Sequence, residues 1–203
     1  MRGSASSASR PKKKRKLASG NALKKIVWPL VIIVSVAAVD QVTKILALRD
    51  LTNHESVRVL GSFFMLTLVH NVGGALGTRF GPSLYYLIAS IFILLFVLYY
   101  IYANRFRPII AYPLSFIAGG AVGNIIDRLF HGSVVDFLDF DFFNINIFGY
   151  QLDRWWTFNI ADASISLSLA FLFIVVFFIK PESKDNHLPP VEQSSSPSGT
   201  DPS

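Results

Sequence analysis

Four long apolar runs constrain this chain more than any other feature of its sequence. They cover about residues 26–48, 83–103, 108–130 and 158–179, and each is close to the roughly 20 residues that cross a bilayer as a helix. A soluble domain would instead distribute its apolar residues around one core. The sequence therefore predicts a membrane protein of the all-α class, with a bundle of four transmembrane helices over residues 26–180.

Polar segments flank this predicted membrane domain at both ends. Residues 1–25 are rich in Ser and basic residues, and residues 181–203 contain mainly Ser, Pro and charged residues. Such compositions bury too little apolar surface to fold alone, so we expect two disordered tails. The run PKKKRK at 11–16 also matches a nuclear localisation signal. The favoured interpretation is a basic tail beside an anionic membrane, because four apolar spans follow it.

The distribution of Lys and Arg predicts the orientation of the chain. Basic residues are concentrated in the N-terminal tail, in the 104–107 loop and just after the fourth span, whereas segments 49–82 and 131–157 carry fewer. Because basic loops remain on the cytoplasmic side, both termini are expected there and the two long segments are expected to face outward. The basic residues that set this topology account for most of the net charge of +6. We therefore expect no nucleic-acid partner.

The two long outward segments contain residues that favour strands. Residues 57–69 are rich in β-branched and aromatic side chains. Polar and apolar residues alternate through residues 139–142, as in a half-buried strand. We therefore expect a small extracytoplasmic β-sheet on the membrane surface, with Trp155 and Trp156 at the level of the headgroups.

Ionisable and amide side chains gather near the outward ends of the predicted spans. Because such groups are costly inside a bilayer, each is a candidate for function. The candidates are Asp40, Lys44, Asn124, Asp127, Arg128, Asp136, Asn159 and Asp162. The motif AGGAVGN at 118–124 has small residues at the spacing that lets another helix approach closely. Four segments that send polar groups to one layer are typical of a site.

Structural roles for the same residues stay open on the pattern alone. Asp40 and Lys44 are four residues apart and are expected to neutralise each other as an i,i+4 pair. Asn159 is followed three residues later by Asp162, which is the arrangement of a helix N-cap with an acid in the first turn. Asp136 also fits a surface acid in an acidic loop.

Other functions also stay open on the pattern. The charges fit a proton-coupled carrier, although they gather at one face and no inverted repeat is visible. A non-enzymatic assembly factor is another possibility, and so is a Ser–Lys peptidase that uses Lys44 with Ser35 or Ser164. The chain has no cysteine, and we expect neither metal nor cofactor. The three outer histidines, His54, His70 and His131, are irregularly spaced, which argues against a metal site.

Five short motifs occur in the order found in one known family. They are DQVTK at 40–44, NVGGALG at 71–77, GGAVGNIIDR at 119–128, GSVVDF at 132–137 and FNIAD at 158–162. On these motifs the chain resembles the lipoprotein signal peptidases, or signal peptidase II, from about residue 26 to residue 180. The resemblance implies four transmembrane helices and an extracytoplasmic sheet cradle in a bacterial cytoplasmic membrane. It also implies an aspartic endopeptidase that removes the signal peptide from diacylglyceryl-modified prolipoproteins, cleaving before the lipidated cysteine.

The resemblance assigns roles position by position. It implies a catalytic pair formed by Asp136 and Asp162. The supporting or substrate-binding positions that it implies are Asn71, Asn124, Arg128, Asn159, Asp127, Asp40 and Lys44. The implied partners are lipid-modified prolipoproteins and membrane lipids, and the implied state is a monomer. The sequence departs from the family motif NxGAAF, which reads NVGGAL at 71–76, and a long acidic insertion at 138–157 separates the two acids.

Overall fold

Four long helices form the body of the protein. The computed structural model describes residues 12–52, 55–74, 78, 80–141, 145–147, 150–152 and 156–178. The helices are α1 (Lys12–Asp50), α2 (Ser83–Ala103), α3 (Pro108–His131) and α4 (Ile160–Phe178). Residues 23–50 of α1 and the whole of the other three are long and apolar enough to cross a membrane. The predicted bundle of four spans is therefore confirmed.

Helix α1 begins well before the predicted first span. It starts at Lys12, so residues 12–25, which we expected to be disordered, are helical. Lys, Arg, Leu and Ala are frequent in this stretch and favour helix, so the helix of the span continues into the polar segment. Residues 1–11 and 181–203, the rest of the two predicted tails, lie outside the described residues.

Helix α3 is the centre of the bundle and packs against the other three helices. A Cβ atom at Gly119 would lie 2.7 Å from the Val36 Cβ of α1, and one at Gly120 would lie 2.6 Å from the Ala161 carbonyl oxygen of α4. Contacts this short would push the helices apart. The predicted role of the small-residue motif in close helix packing is thus supported by the geometry.

A three-stranded antiparallel sheet has the order β1–β2–β3 and consists of β1 (Ser56–Leu60), β2 (Phe64–Asn71) and β3 (Val134–Phe140). The strand predicted over residues 57–69 is two strands, because the chain reverses at Gly61. The φ angle of Gly61 is 57°, in the left-handed region that glycine adopts most easily. The predicted sheet is confirmed, with a hairpin where one strand was expected.

A second, separate hairpin lies inside the 138–157 insertion. It pairs β4 (Ile145–Ile147) with β5 (Tyr150–Leu152). Of the two tryptophans expected at the headgroup level, Trp156 has an exposed side chain, and Trp155 lies outside the described residues.

Strand β3 holds the end of α3 and the start of α4 side by side. Gly132 ends α3 with a φ angle of 69°, which turns the chain into β3. Further along, Leu138 and Phe158 form an antiparallel bridge. Their reciprocal N–H···O bonds measure 2.8 and 3.0 Å. The insertion therefore begins at Leu138 and ends next to Phe158, and these two residues pair with each other. For this reason it does not separate Asp136 and Asp162 in space.

Candidate active site

All nine residues singled out in the sequence lie in one connected hydrogen-bond network. It joins α1, α3, the start of α4 and strands β2 and β3. Its members are Asp40, Lys44, Asn71, Asn124, Asp127, Arg128, Asp136, Asn159 and Asp162. The prediction that polar groups from several segments meet in one layer is in agreement with this geometry.

Asn159 links the two acids of the implied pair. Its Nδ2 donates to Asp136 Oδ1 at 2.7 Å, and its Oδ1 accepts from the backbone N–H of Asp162 at 2.9 Å. The second bond is an N-cap bond, because α4 begins at Ile160. The N-cap predicted from sequence therefore also fixes the position of Asp162 relative to Asp136. A structural role and a role in the site are combined in one side chain.

Asp136 is held by amide donors on both carboxylate oxygens. In addition to the Asn159 bond, Asn71 Nδ2 donates to Asp136 Oδ2 at 3.1 Å. Asn71 is at the end of β2, which pairs with β3. Its Oδ1 accepts from the backbone N–H of Gly73 at 2.9 Å. The glycine-rich segment that follows β2 is thus tied to the carboxylate through one asparagine.

The environment of Asp136 disfavours its charged form. Its side chain is only 2% exposed. This burial, together with the nearby charge of Asp162, raises the pKa of Asp136 from 3.8 to about 7, although the Asn71 and Asn159 amides act in the opposite direction. At neutral pH a large fraction of Asp136 therefore carries a proton, which is the condition for two close acids to share one proton.

Lys44 sets the orientation of Asn124. An ammonium group can only donate, and Lys44 Nζ donates to Asn124 Oδ1 at 3.0 Å. Asn159 Nδ2 donates to the same oxygen at 3.2 Å. The Asn124 Nδ2 must then face the other way, and it donates to Asp162 Oδ1 at 2.8 Å. The charge on Lys44 therefore determines which end of an amide contacts Asp162.

Lys44 is itself enclosed by two acids. Its Nζ lies 2.7 Å from Asp40 Oδ2 and 2.7 Å from Asp127 Oδ2, and its side chain is 2% exposed. The predicted i,i+4 pair with Asp40 is confirmed. A lysine with two carboxylate partners has no free lone pair for use as a base. Ser164 Oγ donates to the Phe116 carbonyl oxygen, so the Ser–Lys interpretation with this serine loses support.

The two acids around Lys44 also hold neighbouring elements by their backbone. Asp127 Oδ2 accepts from the backbone N–H of Val135 at 3.0 Å, directly before Asp136. Asp40 Oδ1 accepts from the backbone N–H of Ala161 at 2.9 Å, directly before Asp162. Each structural acid therefore anchors the residue that precedes one member of the pair.

Gln41 also belongs to this network, although it is not among the residues predicted for the site. Its Nε2 donates to Asp127 Oδ1 at 2.9 Å and to the Gly123 carbonyl oxygen at 3.1 Å. An uncharged amide inside an apolar span, beside Asp40 and three residues before Lys44, was the signal that could have identified it.

Arg128 connects α3 to the glycine-rich segment. It donates to the carbonyl oxygens of Asn124 and Gly73 at 3.3 and 3.1 Å. Its Nε is buried and has no hydrogen-bond partner among the described residues. A buried donor without a partner is costly, so Arg128 Nε is an unsatisfied donor within the described site.

The departure from the family motif at Gly74 has a local cause. A Cβ atom at Gly74 would lie 2.7 Å from Cε1 of the Tyr86 ring. The Tyr86 hydroxyl donates to the Thr78 carbonyl oxygen at 3.0 Å, and the Gly74 N–H donates to the same oxygen at 2.8 Å. Glycine at position 74 therefore leaves the space that the Tyr86 ring occupies. Residues 75–77 lie outside the described residues.

Other candidate groups lie apart from the pair. Asp139, the next acid on β3, is buried and accepts a hydrogen bond from Thr67 Oγ1 at 2.8 Å. In the part of the chain that the structure describes, no group of three or more His, Asp or Glu side chains could hold a metal ion. That part includes His70 and His131 but not His54.

Comparisons of the sequence with known proteins agree with these motifs. The family model described as signal peptidase (SPase) II matches residues 32–178. A lipoprotein signal peptidase of Chlorobium phaeovibrioides is 36% identical over 160 residues, which cover 77% of this chain and 94% of that protein. A lipoprotein signal peptidase of Staphylococcus haemolyticus is 32% identical over 148 residues, which cover 72% of this chain and 89% of that protein.

The fold also resembles solved structures. A bacterial membrane enzyme solved by the in meso method at 2.3 Å resolution has a TM-score of 0.68 and 31% identity, covering 81% of this chain and 96% of that chain. A second such enzyme, solved at 1.9 Å resolution, has a TM-score of 0.63 and 32% identity, covering 76% of this chain and 96% of that chain. The family model spans the whole network from Asp40 to Asp162. The chain therefore belongs to the signal peptidase II family.

Proposed function

We propose that this protein is an aspartic endopeptidase that removes the signal peptide from diacylglyceryl-modified prolipoproteins, cleaving before the lipidated cysteine. Membership of the signal peptidase II family supports signal-peptide cleavage. The observation that carries the aspartic mechanism is the Asn159 amide, which hydrogen-bonds the carboxylate of Asp136 and the backbone of Asp162. Asp136 and Asp162 are the proposed catalytic residues.

The proposed chemistry follows from two acids that share one proton. Close carboxylates do not both ionise cheaply, so they titrate as a pair. The raised pKa of Asp136, at about 7, supports a shared proton at neutral pH. The ionised member removes a proton from water, and that water attacks the scissile carbonyl. The protonated member stabilises the developing oxyanion and then protonates the leaving amine.

Polar groups around the pair have separate proposed roles. Asn71, Asn124 and Asn159 orient the two carboxylates through the bonds described above. Arg128 offers its unpaired Nε to a carbonyl of the substrate or to its lipid headgroup. The buried group of Asp40, Lys44 and Asp127 supports the site through backbone bonds.

The location of the network supports a substrate that is itself held in a membrane. From Asp40 onward, the described charges of the spans lie in the last third of α1, in the last third of α3 and in the first turn of α4. This arrangement fits an interfacial scissile bond better than an ion path. We propose that the site faces outward from a bacterial cytoplasmic membrane, with both termini in the cytoplasm, and that the monomer is active without a metal.

The test is cleavage of a purified diacylglyceryl-modified prolipoprotein by the full-length protein in detergent micelles. Asp136→Asn and Asp162→Asn should each lower kcat by at least about 10²-fold, the scale of general acid–base catalysis. Asp139→Asn is the matched control on β3. An amide oxygen can still accept the Thr67 hydrogen bond, and Asp139 is outside the proposed pair, so this variant should stay within a few-fold of the wild type.

The aspartic mechanism is wrong if Asp136→Asn or Asp162→Asn cleaves at nearly the wild-type rate. A wild type that leaves the lipidated substrate intact but conducts protons across liposomes would instead support the carrier. Omission of the diacylglyceryl group from the substrate tests the substrate class. Equal cleavage of both forms would contradict the proposed specificity for the lipidated precursor.

A further inference from the structure

An open apolar groove lies on the surface of the bundle, and none of its lining residues is Asp136 or Asp162. It has a volume of about 860 Å³ and lies between α1, α3 and α4. This volume is within the range of about 300–1,000 Å³ that is usual for small-molecule sites. Val36, Tyr112, Phe116, Leu167 and Phe171 are among its lining residues, and none of the nine network residues lines it.

The groove lies where α1 and α4 flank the first part of α3. The hydrogen bond between Asp40 and the Ala161 N–H holds them together beside the site. The lining residues of α3 come from its first part, residues 108–116. The groove therefore extends from the site toward the membrane face that carries the 104–107 loop. A smaller hollow of about 300 Å³ along α1, lined by residues 27–35, shares Ser35 with it.

Three cations lie at the loop end of the groove. Arg107 is exposed and directly precedes Pro108, the first lining residue of α3. The Arg105 guanidinium lies 4.6 Å from the centre of the Phe106 ring, and Lys25 Nζ of α1 lies 4.4 Å from the same centre. None of the three cations forms an ion pair with a described residue. An apolar groove thus ends at uncompensated positive charge.

We propose that the groove binds the acyl chains of one anionic phospholipid from the leaflet beside the 104–107 loop, and that Lys25, Arg105 and Arg107 bind its phosphate. Basic pockets between transmembrane helices are typical sites for anionic headgroups. Flexible acyl chains fill an irregular apolar groove and gain dispersion contacts with its walls. A second copy of the chain, with a net charge of +6, would add like charge beside these cations.

The test uses the full-length protein in nanodiscs that contain equal amounts of dioleoyl phosphatidylglycerol and dioleoyl phosphatidylcholine. Lipids that remain bound after release are counted by native mass spectrometry. We expect one phosphatidylglycerol to remain bound in preference to phosphatidylcholine. Ser35→Phe fills the groove from an exposed position and should abolish this adduct. Ala38→Phe, an exposed position on the same helix outside the groove, is the control and should keep it.

The headgroup contact is tested separately from the groove. Arg107→Gln should reduce the preference for phosphatidylglycerol about fivefold, the effect of one cation near an anionic lipid, whereas Arg58→Gln on β1 should leave it unchanged. The proposal is overturned if Ser35→Phe retains as much phosphatidylglycerol as Ala38→Phe. It is also overturned if the wild type retains both lipids equally, or if Ser35→Phe removes a dimer mass or a bound polypeptide instead of a lipid.

Discussion

The free energy of unfolding of the Asp136→Asn variant, relative to that of the wild type, should increase as the pH rises. Asp136 is 2% exposed, and burial with the Asp162 charge raises its pKa from 3.8 to about 7. Below about pH 4 the carboxyl is neutral in both the folded and the unfolded chain. Above that pH the unfolded chain loses its proton first, so the wild type loses stability until the folded carboxyl also ionises near pH 7.

The size of this effect follows from the two pKa values. Each pH unit between them is equivalent to about 1.4 kcal/mol. The full difference approaches about 4 kcal/mol above pH 7, and the part that develops between about pH 5 and 8 is roughly 2–3 kcal/mol. The amide introduced by Asp136→Asn has no charge to gain, so this variant lacks the pH-dependent penalty.

The assay is chemical unfolding in detergent micelles at matched ionic strength across that pH range. The free energy of unfolding of Asp136→Asn minus that of the wild type should increase by roughly 2–3 kcal/mol from about pH 5 to 8. The NH₂ group of the introduced amide will face the NH₂ of Asn71 or Asn159, which adds a constant cost of about 1–3 kcal/mol. The change with pH, not the absolute difference, is therefore the result to examine.

An exposed acid provides the control for this experiment. Glu55→Gln removes a carboxylate from an exposed position outside the network and reports any general effect of net charge. If the difference between Asp136→Asn and the wild type is constant from about pH 5 to 8, the proposed cost of ionising the buried carboxyl is refuted.

Three further experiments test other parts of the structure. Asn71→Ala removes a donor that favours the charged form of Asp136, so its pKa should rise and the alkaline limb of kcat/KM should move to higher pH; a limb at lower pH would contradict this. Lys44→Met should destabilise the protein by about 3–5 kcal/mol, and added Asp127→Asn should recover part of the loss in thermal unfolding. Gly120→Ala should cost about 1–3 kcal/mol, because its Cβ would meet the backbone of α4; an unchanged melting temperature would contradict close packing there.

The spans could be predicted closely because hydrophobicity alone decides them. The predicted first span, 26–48, compares with a membrane-length segment at residues 23–50, and the predicted third span, 108–130, compares with α3 at residues 108–131. The helical extension of α1 back to Lys12 was missed, because polar composition was interpreted as disorder although the same residues favour helix.

The contact geometry of the site could not be derived from spacing. Asp136 and Asp162 are separated by the 138–157 insertion, and they come together through the bridge between Leu138 and Phe158. Such pairing is a long-range event that no local pattern encodes. The N-cap role of Asn159 was predictable, because the cap and the acid in the first turn are adjacent in sequence. Its second role, the bond to Asp136, depends on where β3 lies.

The partners of Gln41 could not be predicted from the sequence pattern, although its position in an apolar span marks it as a candidate. Its partners, Asp127 and the Gly123 carbonyl, are more than eighty residues away in the chain. The turn at Gly61 was missed for a different reason. Residues 57–69 form a nearly continuous run of strand-favouring residues, and only the left-handed backbone of one glycine divides it.

The single amide of Asn159 has a consequence for inhibitors that contact both acids. Because one side chain bonds the carboxylate of Asp136 and the backbone of Asp162, it acts as a fixed spacer between them. A mutation that alters this spacing to exclude an inhibitor also alters it for the substrate. Resistance that arises near the proposed catalytic pair should therefore carry a loss of activity. The described part of the glycine-rich segment after Asn71 is linked to the network through Asn71 and Arg128 and does not set the spacing of the pair, so it leaves more freedom for escape.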